Sequence, residues 1–291
     1  MKKIIITFVS AFALFIVFAV FACEKAVVSE DNASDLSEGN LHVNVFQIEK
    51  TPFASLTRAA VTSICTRINF AVYSTDGTRL KQVNQTSDNA SFGTCSFQLE
   101  PGTYKLVVVA HSSSGNPTMT NLAKIQFSNS LGFTDTFLCY REVTIGEEAV
   151  SLDVSLDRIV SLCRFVITDD IPDDVAQLQF YYTGGSGAFD ATTGLGSVNS
   201  QQRLTFDASE GQKEFDLYTF LHDTEGTIHL KVTAYDDAEN ILYERTFDVP
   251  MEQNHITWLS GALFNGSGSS STTITTLNVN TDWAGETHLT F

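Results

Sequence analysis

The chain has 291 residues, with 34 acidic and 17 basic side chains and a formal charge of −17. That excess argues against nucleic-acid binding, which needs clustered Lys and Arg to displace counterions. The length leaves room for one large domain or two ordinary ones.

Lys2 and Lys3 precede an apolar run from Ile4 to Ala22, and Cys23 follows. A positive start, an apolar stretch and a small residue before the cut mark a secretory signal, so residues 1–22 are predicted to be a signal peptide. Val20-Phe21-Ala22-Cys23 resembles a bacterial lipobox, with an aliphatic residue at −3 and a small one at −1, although Phe21 at −2 is bulkier than usual. Lipidation is therefore expected at Cys23. The alternative is an uncleaved helix, since 19 apolar residues just span about 30 Å of hydrocarbon. Losing Lys2 and Lys3 with the leader makes the chain two units more negative, which suits a protein outside the cytoplasm. If Cys23 is lipidated, Cys65, Cys95, Cys139 and Cys163 remain, an even number in a disulfide-permissive compartment. Three pairings are open, and each cysteine is equally readable as a buried thiol. No CxxC occurs, and no zinc site is expected.

Residues 23–40 are acidic and small with little to bury, a tether composition. From Leu41 onward, short segments of alternating polarity are separated by turn residues. LHVNVFQI (41–48), TRINFAVYS (66–74), CSFQLE (95–100), TYKLVVVAH (103–111), AKIQFS (123–128) and EVTIG (142–146) read as strands. In the second of these, Ile68, Phe70 and Val72 share one face. Asp76-Gly77, Pro101-Gly102 and Gly115-Asn116-Pro117 read as turns. Residues 118–124 could hold one short helical turn. The second half repeats the pattern at 164–169, 177–184, 203–208, 213–221, 227–236, 241–249 and 274–280, with a hairpin turn at 237–240. Many short strands with regular turns imply β-sandwiches. Two fit the length: an N-terminal domain over 41–155 and a C-terminal domain over 156–291.

The six histidines are scattered, with no HExxH, and no GxSxG nucleophile elbow occurs. His229 reads as a structural histidine within a strand. Gly184-Gly185-Ser186-Gly187 lacks a following Lys and a helix, so it reads as a mobile loop rather than a phosphate cradle. The Asp169-Asp170, Asp173-Asp174 and Asp236-Asp237 pairs follow no calcium-loop spacing and read as solvated acidic turns. Asn265–Thr273 reads as a flexible linker. No catalytic constellation is found, and no metal or cofactor is implied.

Leu99-Glu100-Pro101-Gly102-Thr103-Tyr104 resembles the L-x-P-G-x-Y hairpin of Bacteroidetes fimbrial proteins. VPMEQNHITWLSGALF (249–264) resembles their V-P-x-x-x-N-x-x-T-x-L-x-G-x-L-F element, through Val249, Pro250, Asn254, Thr257, Leu259, Gly261, Leu263 and Phe264. LDRIVSLCRFVITDDIP (156–172) resembles the strand that opens their second domain. With the lipobox, the chain resembles the FimB-like family of fimbrial anchors and minor subunits. That resemblance implies two transthyretin-like β-sandwiches, a lipid anchor in the outer membrane, and assembly with other fimbrial subunits by strand addition. It also implies a host or bacterial surface receptor for an adhesive subunit.

Related fimbrillins are trimmed after an arginine, which makes Arg58 a possible cleavage point; an ordinary loop arginine is the bland reading. An anchor would keep residues 23–58, and a polymerising pilin would lose them. Thr272–Phe291 is either a donated strand or the last strand of the second domain. A different class is a glycan-binding surface lipoprotein of a polysaccharide-uptake system, with Trp258, Trp283 and the Tyr181-Tyr182 pair as stacking platforms, although aromatics in a sandwich are more often core. An enzyme is the remaining class.

Overall fold

The computed structural model describes residues 39–49, 51–52, 58–129, 133–265, 273–276 and 283–291. The predicted signal peptide, Cys23 and most of the tether lie outside them. The first ten strands are β1 (Leu41–Ile48), β2 (Thr51–Pro52), β3 (Arg67–Tyr73), β4 (Arg79–Thr86), β5 (Thr94–Phe97), β6 (Gly102–His111), β7 (Thr118–Asn121), β8 (Lys124–Gln126), β9 (Thr136–Ile145) and β10 (Val150–Arg158). One helix, α1 (Arg58–Ile64), precedes β3. The ladder runs β2-β1-β10-β9-β6-β3-β4, with β5 also on β1. Strand β10 meets β9 only at Asp157 and Arg158, whereas it follows β1 over most of its length. The ladder therefore folds over into two layers. Leu41, Val43, Val45 and Ile48 of β1 share a core with Ile68, Phe70 and Val72 of β3 and Leu106, Val108 and Ala110 of β6.

The second ten are β11 (Ser161–Ile167), β12 (Gln177–Gly185), β13 (Ala188–Phe189), β14 (Ser200–Asp207), β15 (Glu214–Thr219), β16 (Glu225–Tyr235), β17 (Ile241–Glu252), β18 (His255–Gly261), β19 (Thr273–Thr276) and β20 (Gly285–Thr290). They form a sheet β15-β11-β18-β20-β19 and a sheet β14-β12-β16-β17. Phe165, Phe215, Leu259 and Leu289 of the first meet Phe180, Leu230, Val232 and Val249 of the second in one core. The Phe180 and Phe215 rings lie 4.7 Å apart.

A third cluster uses the faces of β3 and β6 that point away from the first core. Tyr73, Val107 and Val109 pack there with Met119, Ile125, Phe127, Phe189, Phe220 and Ile256. Strands buried on both faces read as continuous apolar runs, which explains LVVVA in β6. The Tyr73 hydroxyl donates to the Met119 carbonyl at 2.6 Å, so its polar tip is satisfied inside this cluster.

The fold is all-β, as the alternation predicts. Several expectations change in detail. Residues 118–121 form strand β7, because Met119 must point into the third cluster while its neighbours face out. The Gly184–Gly187 stretch is the tightly packed end of β12 and the bend after it, not a loose loop. A Cβ at Gly185 would stand 1.9 Å from Thr219 Oγ1, and one at Gly187 would stand 2.7 Å from Asn129 Oδ1. The 237–240 turn is capped by Asp236, whose Oδ1 accepts from the Ala238 and Asn240 backbone N–H groups. The expected division at 155/156 falls within β10. Cys65, Cys95, Cys139 and Cys163 are free thiols, all buried except the half-buried Cys139. Burial pushes the Cys65 and Cys95 thiols up to about 12.

Candidate assembly site

Strand β1 is the first element after the predicted tether. It runs parallel to β10, from Leu41 opposite Val150 to Ile48 opposite Leu156. On its other side β5 pairs antiparallel from Leu41–Phe97 to Asn44–Thr94, and β2 takes up Gln47 and Ile48. Leu41, Val43, Val45 and Ile48 are at most 2% exposed. Each contributes about 1.5–3 kcal/mol of burial. Polar residues on the other face add cross-strand bonds, Asn44 Nδ2 to Asp153 Oδ1 and His42 Nδ1 to Ser96 Oγ, both at 2.8 Å.

The L-x-P-G-x-Y residues lock the start of this strand. Asn40 Nδ2 donates to the Leu99 carbonyl at 2.7 Å, and the Leu99 N–H returns to Asn40 Oδ1 at 2.9 Å. Pro101 makes the turn, Gly102 opens β6, and the Tyr104 hydroxyl reaches back to the Glu100 carbonyl at 2.7 Å. The turn is thus clamped from both sides, by β1 and by its own tyrosine.

The 249–264 residues form the β17–β18 corner, where the chain passes from one sheet to the other. Thr257 Oγ1 donates to the Pro250 carbonyl at 2.9 Å across it. Asn254 takes the left-handed turn position at φ 59°, which Asn tolerates better than most side chains. Gly261 is needed for space: an added Cβ would come within 2.2 Å of the Phe291 carbonyl and 2.7 Å of its ring. Beyond β18, the Leu263, Phe264 and Asn265 N–H groups all donate to the Asp169 carboxylate at 2.8–2.9 Å. Burial opposes ionisation of Asp169, but those donors outweigh it and hold the carboxyl below the usual range. Asp169 is therefore a structural anchor rather than part of a solvated turn.

A polar junction joins these parts. Arg158, at the end of β10, has a side chain only 6% exposed. Its guanidinium clasps Asp135 through Nε at 2.7 Å and Nη2 at 2.8 Å, and Nη1 donates to Asn254 Oδ1 at 3.1 Å. The same group lies 4.0 Å from the Trp283 ring centre and 4.9 Å from that of Phe137. Glu49, at φ 51° just past β1, turns its carboxylate onto the Arg158 N–H and onto Asn254 Nδ2. Burial raises the Asp135 carboxyl, against the pull of the Arg158 guanidinium. Sequence reading singled out Asn254 but missed Glu49, Asp135 and the role of Arg158. Arg158 lies in the quoted 156–172 stretch, whereas nothing local marks Glu49, which is brought to the junction from 109 residues away.

Arg58 opens helix α1 rather than lying in a loop. The stacking platforms mostly disappear. Tyr182 is 2% exposed with its hydroxyl on the Tyr218 carbonyl, and Trp283 is 9% exposed beneath Arg158. Trp258 has its neighbours already stacked on it, His288 at 5.5 Å and Arg164 at 5.0 Å. Only Tyr181 stays on an open face, with Arg203 5.5 Å from its ring centre. His229 is exposed on β16 and pairs with Asp248 at 2.6 Å. Residues 285–290 pair inside the chain, parallel to β18 and antiparallel to β19, so they form the last strand of their own sheet. A groove of about 710 Å³ beside β8, β12 and β14 is lined by Gln126, Asn129, Asn199 and Gln201, with Lys124 its charged member. Its amides and hydroxyls offer hydrogen bonds but no nucleophile–base pair.

A family model matches residues 35–290, which takes in nearly all of the described chain. The chain belongs to that family, a family of unknown function (DUF6562). No curated protein matches the sequence. Among solved structures, the chain is similar to a candidate adhesin from Bacteroides ovatus, at 17% identity and a TM-score of 0.48, covering 71% of this chain and 82% of that one. It is also similar to a fimbrial assembly protein from Parabacteroides distasonis, at 13% identity and 0.40, covering 86% and 97%. A third is the fimbrial anchor protein Mfa2 from Porphyromonas gingivalis, at 10% and 0.38, covering 70% and 80%. Likeness at these scores carries no argument about function.

Proposed function

We propose that the chain is a non-enzymatic fimbrial anchor or accessory subunit, held in the outer membrane by lipid on Cys23 and joined to other subunits by strand addition. The division into domains 41–155 and 156–291 belongs to this reading. The observation that carries it is the grip on β1. An anchor must resist being pulled off its leash, and here the first strand after the tether is paired on both sides and buried along one face. The L-x-P-G-x-Y and 249–264 elements support the same reading, because their residues hold strand ends in place rather than line a pocket.

Cleavage after Arg58 would remove β1 and uncover the apolar groove beneath it, with the unpaired edges of β10 and β5 alongside. A second subunit's strand would fit such a groove, which is the polymerising-pilin alternative. Labelling cells with palmitate and mapping the mature N-terminus by mass spectrometry separates the two. The anchor reading expects label on a chain starting at Cys23. A lipid-free chain starting at Ala59 would sink it.

A further inference from the structure

Strands β1 and β20 belong to different sheets, yet β1 ends and β20 begins at the same half-buried polar junction, with Arg158 its buried member. Glu49 leaves β1 and accepts from the Arg158 backbone N–H and from Asn254 Nδ2, the latter at 3.4 Å. Arg158 in turn donates to Asn254 Oδ1 at 3.1 Å and lays its guanidinium against Trp283 at 4.0 Å. Trp283 and Ala284 lead directly into β20, and the Ala284 N–H donates to the Asn254 carbonyl at 2.8 Å. The Asn254 N–H donates to the Val160 carbonyl at 3.0 Å, which fixes the β17–β18 corner to the β10–β11 connection. Asn254 is thus engaged through its backbone and both ends of its side-chain amide.

We propose that the docking of β1 and of β20 is coupled through the Glu49–Arg158–Asn254 junction, so that loosening either strand loosens the other. Withdrawing Glu49 takes an acceptor from the Arg158 N–H and from the Asn254 amide at a half-buried site. A buried donor that loses its acceptor incurs its full desolvation cost unless the surroundings shift. The groups next in line are the guanidinium, held by Asp135 and stacked on Trp283, and the Asn254 carbonyl holding Ala284, both of which set where β20 starts. Buried polar networks respond cooperatively for this reason. Linkage makes the effect reciprocal: β20 must act on β1 by the same factor. The coupling is a property of the fold and does not depend on the fimbrial reading, which palmitate labelling tests separately.

Native-state hydrogen exchange on the full-length chain tests it. Glu49→Ala is expected to accelerate exchange about tenfold both at 41–48 and at 284–290, while the central strands β12 and β16 keep their wild-type rates. Trp283→Phe is expected to accelerate exchange at 45–49 as well as in β20. Asn44→Ala, which cuts the Asp153 bond at the other end of β1, is expected to leave β20 within twofold of wild type. Acceleration confined to the mutated strand overturns the coupling. So does no change in either strand, and so does uniform acceleration through all the sheets, which reports only lost global stability. Should Glu49→Ala not accumulate, Glu49→Gln gives the same readout with a weaker acceptor in place.

Discussion

The first and last strands described enter their sheets alike and are fastened differently. Strand β1 runs parallel to β10, and β20 runs parallel to β18. Strand β1 buries Leu41, Val43, Val45 and Ile48 in one core, so it is held along its whole length. Of β20's six residues only Leu289 joins the apolar core. Its side-chain hold comes instead from its two ends, Trp283 and Ala284 against Arg158 and Asn254, and Phe291, whose ring centre lies 5.2 Å from that of Phe165 and 4.6 Å from that of Phe247. A strand held along its length keeps its core contacts when one end is cut, even where that end loosens. A strand held at its ends depends on those ends.

The largest expected effect lies inside β1. Val45→Asp places an unpaired carboxylate in the first core and is expected to cost at least about 4 kcal/mol in urea unfolding, whereas Thr290→Asp, at the exposed last residue of β20, should cost under about 0.5 kcal/mol. A mild Val45→Asp would mean that β1 is not held as described. Next come the ends of the strands. Phe291→Ala should cost about 2–3 kcal/mol, below the usual range for a fully buried ring because Phe291 is only partly buried. Phe46→Ala, on a ring 49% exposed in β1, should be near neutral. Equal losses at the two phenylalanines would erase the contrast.

Thiol labelling sharpens the comparison without mutation. Cys95 lies on β5 opposite Val43, and Cys163 lies on β11 next to β18. Cys139 is expected to react with a disulfide reagent at pH 8 faster than Cys95: burial raises both thiols, but Cys139 is only half-buried while Cys95 is pushed up to about 12. Fast labelling of Cys95 would show β1 and β5 parting. The smallest effect is at Asp169. Its carboxyl titrates below its unfolded value, so its contribution is present above about pH 4 and is lost as pH falls through the folded value. Asp169→Asn should therefore be less stable than wild type at pH 7, with the gap closing toward pH 2 when thermal midpoints are compared across pH.

The sequence marks β1 clearly because LHVNVFQI alternates and faces water on one side. Strand β10 is harder to see as a strand. VSLDVSLD alternates too, but Ser and Asp fill every second position and the stretch reads as the boundary between two domains. RLKQVNQT of β4 has too few apolar residues to stand out, since an edge strand needs little burial. The 249–264 element was legible as a motif before its job was. Gly261 looks like any strand glycine until Phe291, thirty residues on, is seen to occupy the space a side chain would need. Glu49 stays silent for the same reason: its partners are set by the meeting of three distant segments.

The pairing of β1 also has a mechanical meaning. Tension entering the chain ahead of Leu41 and leaving through the far end of β10 would pull along the strand rather than across it. The backbone bonds between Leu41 and Ile48 would then be loaded together in shear instead of opening one at a time. A pull from the other end, through Phe291, meets a strand pinned chiefly at its tips. Single-molecule stretching from the two termini in turn should yield first at β20 and last at β1.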